Sequence, residues 1–187
     1  KNFSDYLNTI TKQITNIEHM VNEFSNFARM PKPIFKKINL TKLISRIVNL
    51  HDLANKHVKF VISKNNSSIN VNGDEEQLNR VFINLIKNSI ESTSEKKSKN
   101  VDFKEKIDVD IKEDSDYIYV TIVDNGVGFD QIEKTKMLTP YFTTKKKGTG
   151  LGLAIVSKVI SDHNGTILFN SIKNGAKVEV ILPKYDD

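Results

Sequence analysis

From Phe3 to Ala28 the residues Phe3, Leu7, Ile10, Ile14, Ile17, Val21, Phe24 and Ala28 recur at alternating separations of four and three. That is a helical seam of period 3.5, and one helix cannot bury such a seam by itself. At 1.5 Å per residue the helix is about 40 Å long. Tyr6, Met20 and Phe27 widen the stripe beyond what a two-stranded zipper covers, which suits a four-helix bundle. The expected complement is an upstream helix together with a second protomer; packing against the rest of the chain is the alternative. Pro31 and Pro33 end the helix, because proline removes amide donors and restricts the residue before it.

Composition narrows the class. The chain has 187 residues, 38% hydrophobic and 27% charged, enough apolar material for one good core plus an appendage. It is too charged and periodic for disorder. The absence of cysteine excludes disulfides and thiolate metal sites. No apolar run approaches the ~18 residues of a membrane span, and no signal peptide opens the chain. The net charge is +5, but only three of the 28 basic residues are arginine, the residue that reads base edges bidentately. Lysine excess of this kind reflects a biased genome more than a nucleic-acid footprint. The chain begins at Lys1 with the helical pattern already running, so it is expected to be a piece of something longer.

After the prolines, Asn39 or Thr41 can cap a helix whose apolar face is Leu40, Leu43, Ile44, Ile47, Val48 and Leu50. Val58 to Ile62 and Ile69 to Val71 read as strands. Asp74 is a good N-cap for a helix carrying Leu78, Val81, Phe82, Leu85, Ile86 and Ile90. Residues 94–106 read as a lysine-rich loop. Ile107 to Ile111 and Tyr117 to Val123 alternate as an antiparallel hairpin. A helix starts near Leu151 and stops at Asn164-Gly165, and a second hairpin turns at Asn174-Gly175. Helices and mostly antiparallel strands in this order make an α+β fold.

Three segments carry unusual chemistry. Asn84 and Asn88 share one face of a helix at i and i+4. Beside an apolar stripe two amides are costly unless paired, and neutral amide oxygens can complete a Mg²⁺ shell otherwise made of phosphate and water. Alone, two polar residues at the edge of a buried helix is the simpler explanation. Asp124-Asn125-Gly126-Val127-Gly128-Phe129 follows an alternating strand. Its glycines allow close backbone approach, and an aspartate there can accept from an exocyclic amine such as adenine's, although a tight turn accounts for it equally well. Tyr141-Phe142-Thr143-Thr144-Lys145 precedes Gly148-Thr149-Gly150-Leu151-Gly152-Leu153. Glycines leading into a helix start favour phosphate, whereas a flexible linker is the plainer alternative. The segment is neither a Walker A loop nor a dinucleotide fingerprint. The four histidines, His19, His51, His57 and His163, read as structural or exposed; at His163 a cationic ring suits the end of a helix.

In this order the segments resemble the ATP-binding domain of sensor histidine kinases, within the wider group of gyrase, Hsp90 and MutL proteins. Asn84 to Asn88 matches the N box, Asp124 to Gly128 the G1 box, Thr139 to Lys145 the F box and Gly148 to Gly152 the G2 box. Phe24-Ser25-Asn26-Phe27-Ala28-Arg29-Met30-Pro31 and Pro140-Tyr141-Phe142-Thr143-Thr144-Lys145 look like the nitrogen-regulation (NtrY/NtrB-like) branch. The resemblance implies a two-layer α/β sandwich, the Bergerat fold, with a mixed, mostly antiparallel sheet and helices on one face. It implies that 1–31 is the second helix of a dimerisation domain, 32–38 a linker and 39–187 the catalytic domain. The implied ligands are ATP and Mg²⁺. Asp124 would take the adenine amine, with Gly126 and Gly128 beside it. Asn88 would hold the metal, and Asn84 would lie by the phosphates. Phe142, Thr143, Thr144, Lys145, Gly148, Thr149, Gly150, Leu151 and Gly152 would line the phosphate side, with residues 138–150 as a mobile lid.

The implied activity is transfer of the ATP γ-phosphoryl to a histidine, with Asn84, Asn88 and Lys145 as catalytic residues, followed by relay to a response regulator. Catalysis of this kind is positioning and charge stabilisation. ATP-hydrolysing relatives place a glutamate where Asn84 stands, and an amide cannot act as that base. The phosphoacceptor motif, His-Glu-X-Lys/Arg-Asn/Thr-Pro, does not occur, so the acceptor is expected on a helix upstream. In the last box Ala176 replaces the usual threonine. The implied setting is a cytoplasmic homodimeric domain without membrane or nucleic-acid contact, in a parent anchored in the inner membrane. The alternatives are a conformational ATPase of the same group and a nucleotide-sensing scaffold without phosphotransfer.

Overall fold

The structure, a computed structural model, describes residues 3–63, 68–129, 136–143 and 148–184, apart from the side chains at positions 16, 19, 23, 26 and 27. Helix α1 (Phe3–Ala28) leads into β1 (Lys36–Asn39), α2 (Leu40–Ala54), β2 (Lys59–Ile62), β3 (Asn70–Gly73) and α3 (Glu75–Lys99). β4 (Lys106–Glu113), β5 (Tyr117–Asp124), α4 (Gly152–Asp162), β6 (Thr166–Ile172) and β7 (Gly175–Pro183) follow. Five strands form one sheet in the order β2-β4-β5-β7-β6, in which β2 and β4 are parallel and the other neighbours antiparallel. β1 and β3 make a separate antiparallel pair.

Alternation along the strands produces the two layers. Ile107, Val109 and Ile111 of β4, Ile118, Val120 and Ile122 of β5, and Val178, Val180 and Leu182 of β7 point to one face and are buried. Leu43, Ile44, Ile47 and Val48 of α2, Phe82, Leu85 and Ile86 of α3, and Ile155, Val156 and Val159 of α4 complete the same core. Each such side chain contributes about 1.5–3 kcal/mol of burial. The expected sandwich with helices on one face of a mostly antiparallel sheet is therefore the observed architecture.

Several local readings are corrected. Asn39 supplies the α2 cap, its Oδ1 accepting from the Lys42 N–H at 2.8 Å. Leu50 is 64% exposed and does not belong to the apolar face. Lys36–Ile38, which the sequence leaves in the linker, belong to β1 and pair with β3; two lysines in a four-residue strand hide its only buried residue, Ile38. α3 continues to Lys99 through the stretch read as a loop. Glu95, Ser98 and Lys99 face solvent there while Lys96 and Lys97 turn inward, and a lysine-rich last turn complements the helix dipole. His163 is structural: its ring is buried, Nε2 accepts from the Asp74 N–H at 2.9 Å, and Nδ1 lies 2.8 Å from the Val159 carbonyl. Those partners tie α4 to the start of α3.

α1 keeps its seam in the open: Phe3, Ile10, Ile14 and Ile17 are each more than half exposed. The segment after it is fastened to the domain. The Pro31 carbonyl accepts from Gln77 Nε2 at 3.0 Å, and the Ile34 N–H donates to Asp74 Oδ2 at 2.9 Å. Burial pushes the Asp74 carboxyl up, but the N–H groups of Ile34, Gln77 and Glu76 outweigh it and hold the group below its ordinary range. No helix among the described residues is long and apolar enough to cross a membrane.

Candidate functional site

One face of α3 organises the site. Asn84, Asn88, Ser92 and Lys96 follow each other at intervals of four, so they form a polar stripe about 18 Å long beside the apolar face. At one end lies the start of α4, at the other the turn after β5.

At the α4 end, Asn84 donates from Nδ2 to the Arg80 carbonyl at 2.9 Å. Its Oδ1 would stand 2.9 Å from a Cβ placed on Gly152, so the first residue of α4 must be small for the two helices to meet here. Leu151, the N-cap position, offers no side-chain hydrogen bond, so no described side chain caps the amino end of α4. The Leu151 side chain is wholly buried in the core, so only its backbone can face a ligand. Gly150 has φ +71°, and a Cβ on it would lie 2.5 Å from the Tyr141 carbonyl carbon. The Tyr141 N–H in turn donates to the Gly150 carbonyl at 3.1 Å, which seats the F-box segment against the G2 glycines. Phe142 is half-buried, Thr143 and Gly148 are exposed, and Thr149 is half-buried. Thr144 and Lys145 lie outside the described residues, as do 130–135 within the span between G1 and F boxes.

At the other end, Asp124 closes β5 and is 4% exposed. Its Oδ1 accepts from the Gly126 N–H at 2.9 Å and from the Ser92 hydroxyl at 3.2 Å. Burial raises the carboxyl above the usual aspartate range, against the opposing pull of donors on Gly126, Ser92, Ser89 and Ala176. Asn125 points away: Oδ1 accepts from the Lys106 N–H at 2.9 Å and Nδ2 donates to the Lys104 carbonyl at 2.8 Å. It anchors the turn to β4. Lys96 Nζ donates to the carbonyls of Asn125 and Gly126 at 2.7 and 3.1 Å, closing the turn from the α3 side. Gly128, at φ +77°, packs against the Gly175 carbonyl, which a Cβ would meet at 2.9 Å.

Along one face of α3 the structure therefore sets Asn84 against Gly152, and Ser92 against Asp124 and Gly126, while Gly128 lies on Gly175 and Gly150 on the Tyr141–Phe142 segment. Sequence reasoning missed Ser92, Lys96 and the structural use of Asn125. The signal for the first two was present, since they extend the Asn84–Asn88 spacing by two further steps of four.

This geometry has known counterparts. Residues 73–186 match the family described as histidine kinase-, DNA gyrase B-, and HSP90-like ATPase, and the chain belongs to that family. Within it, the domain has the fold of a histidine-kinase catalytic domain and is related to NtrY-like and other sensor kinases. A putative sensor histidine kinase NtrY-like of Rickettsia conorii is 35% identical over 179 residues, which is 95% of this chain and 29% of that protein. The catalytic domain of histidine kinase ThkA superposes with a TM-score of 0.71 at 29% identity, over 81% of this chain and 96% of its own. ThkA in complex with response regulator protein TrrA matches 99% of this chain and 52% of its own, with a TM-score of 0.78 at 24% identity, a likeness of fold that takes in α1. The chain spans less than a third of the length of the Rickettsia relatives it matches.

Proposed function

We propose that this chain is the nucleotide-binding part of a sensor histidine kinase. It binds Mg-ATP along the α3 stripe, and its parent transfers the γ-phosphoryl to a histidine on a helix that packs against α1. The phosphate then passes to an aspartate of a response regulator. The observation that carries the reading is the opposition, along one helix face, of a buried carboxylate and a helix amino end that no described side chain caps. A carboxylate accepts an amine, whereas free N–H groups with the dipole attract phosphate.

The residues fit the ligand. Asp124 takes the 6-amino group of adenine, Gly126 and Gly128 let the base approach, and the start of α4 receives phosphate oxygens, with Lys145 and Thr144 adding donors. Among the described residues no three His, Cys, Asp or Glu side chains gather to hold a metal alone. Asn88 would hold the magnesium ion that accompanies the phosphates, since a neutral amide oxygen can complete the shell of such a hard cation. The bound ion supplies charge neutralisation on the phosphates. Asn84, an amide, has no basic oxygen to activate water, which favours transfer over hydrolysis. The exposed seam of α1 supports dimerisation through that helix, and the fold shared with a kinase solved with its response regulator supports that partner class. The domain then works in the cytoplasm beneath a membrane-anchored parent.

Incubation with labelled ATP and a dimerisation domain bearing the acceptor histidine tests the reading. Acid-labile label on histidine is expected; steady phosphate release without transfer points instead to an ATPase. Asn88→Ala lowers Mg-ATP affinity roughly ten-fold. In EDTA the variant and the parent chain bind ATP alike by calorimetry; a loss of equal size there would remove Asn88 from the metal.

A further inference from the structure

Ser92 is the third member of the α3 stripe. Its hydroxyl donates to Asp124 Oδ1 and accepts the Val127 N–H, each at 3.2 Å. The same Oδ1 accepts the Gly126 N–H at 2.9 Å. Ser92 is thus a relay between the turn that follows β5 and the carboxylate that ends it. The fit is close: a Cβ on Gly126 would fall 2.2 Å from Ser92 Oγ and 2.5 Å from the Ser92 carbonyl carbon. Glycine at 126 lets the turn lie directly on Ser92, and no intervening side chain separates them.

A carboxylate on a two-bond side chain can rotate, and an amine reads it well only in one plane. Four donors restrain it here: the Gly126 N–H and the Ser92 hydroxyl meet on Oδ1, and the Ser89 hydroxyl and the Ala176 N–H also reach the carboxylate. We infer that Ser92 is a positioning residue for base recognition, whose hydroxyl holds the Asp124 carboxylate in the orientation that accepts the 6-amino group of adenine. The inference rests on the proposed reading of Asp124 as the base acceptor. It assigns specificity, in addition to packing, to a side chain that touches the nucleotide only through its neighbour. Burial raises Asp124 against the ionised form, and the Ser92 donor opposes that effect.

Calorimetry on the full chain separates this role from simple packing. The ligands are ATP and purine riboside triphosphate, which carries hydrogen in place of the amine. Ser92→Ala is expected to weaken ATP roughly five-fold and leave the purine analogue unchanged. Ser92→Cys keeps the volume with a weak donor and shows the same selective loss, which covers failure of the alanine variant to fold; Ser92→Thr retains the hydroxyl and restores selectivity. Equal losses for both nucleotides, or no loss for either, overturn the inference. Asp124→Asn distinguishes the two levels. Selective loss there without selective loss in Ser92→Ala rejects Ser92 alone, whereas no selective loss in Asp124→Asn rejects base recognition at Asp124 and the inference with it.

Discussion

Gly175→Ala is expected to lower the melting temperature by about 10 °C, the largest effect of any single methyl in this domain. Gly175 opens β7 with φ +140°, and a Cβ there would lie 1.9 Å from the Asp124 carbonyl oxygen and 2.8 Å from the Asn125 Cα. Both obstacles are backbone, held in the ladder between β5 and β7 where Asp124 pairs with Ala176. Neither can swing aside as a flexible side chain would. Left-handed backbone in a residue with a Cβ costs of order 1–3 kcal/mol, and overpacking of a rigid site a similar amount. The sum is about 3–5 kcal/mol, and a domain of this size loses roughly 2–4 °C per kcal/mol. Thermal denaturation by circular dichroism checks it. A change under about 2 °C would show that the turn and the β5 end part more easily than their packing indicates.

Asp124→Asn carries the largest expected effect on binding. A hydrogen bond to a charged acceptor contributes about 1.5–3 kcal/mol, so ATP affinity falls roughly 10- to 100-fold. Affinity has a pH profile of definite sign. On the proposed reading the amine binds the ionised carboxylate, and burial raises this carboxyl. ATP binding therefore weakens as pH falls through a value above the ordinary aspartate range, and the asparagine variant has a flat profile there. The same shift acts on folding. The folded domain holds this proton more tightly than the unfolded chain does, so the group's contribution to stability declines as pH rises from the unfolded pKa to the raised one. Calorimetric titrations across that pH range check both statements; parallel profiles for the two proteins would remove Asp124 from amine recognition.

Much of the fold was legible because periodicity is written in apolar positions. The strict alternation of Tyr117 to Val123 and the 3.6-residue pattern from Leu78 to Ile90 leave one choice of element each. β1 was not legible, because a strand with one buried residue has no alternation to read. The last turns of α3 were hidden by composition: Ser94 to Lys99 look like a loop, yet Lys96 and Lys97 are turned inward onto backbone carbonyls of other segments. Asn84, Asn88 and Asp124 stood out as costly polar groups beside apolar runs. Ser92 did not, because a serine on a helix is unremarked until the chain that crosses it is known. Its role depends on Gly126 arriving from 34 positions away, and only tertiary structure records that meeting.

The place of β7 has a consequence for the order of assembly. It lies between β5 and β6 in the sheet, though it is the last strand in the chain. On a ribosome the β4–β5 hairpin emerges well before it. Until β7 inserts, Asp124 lacks the Ala176 amide, Gly128 lacks its seat on Gly175, and the buried edge of β5 stays open. On the proposed reading, nucleotide capture therefore waits for β7, and a domain able to grip ATP is one in which that strand has already taken its place beside β5.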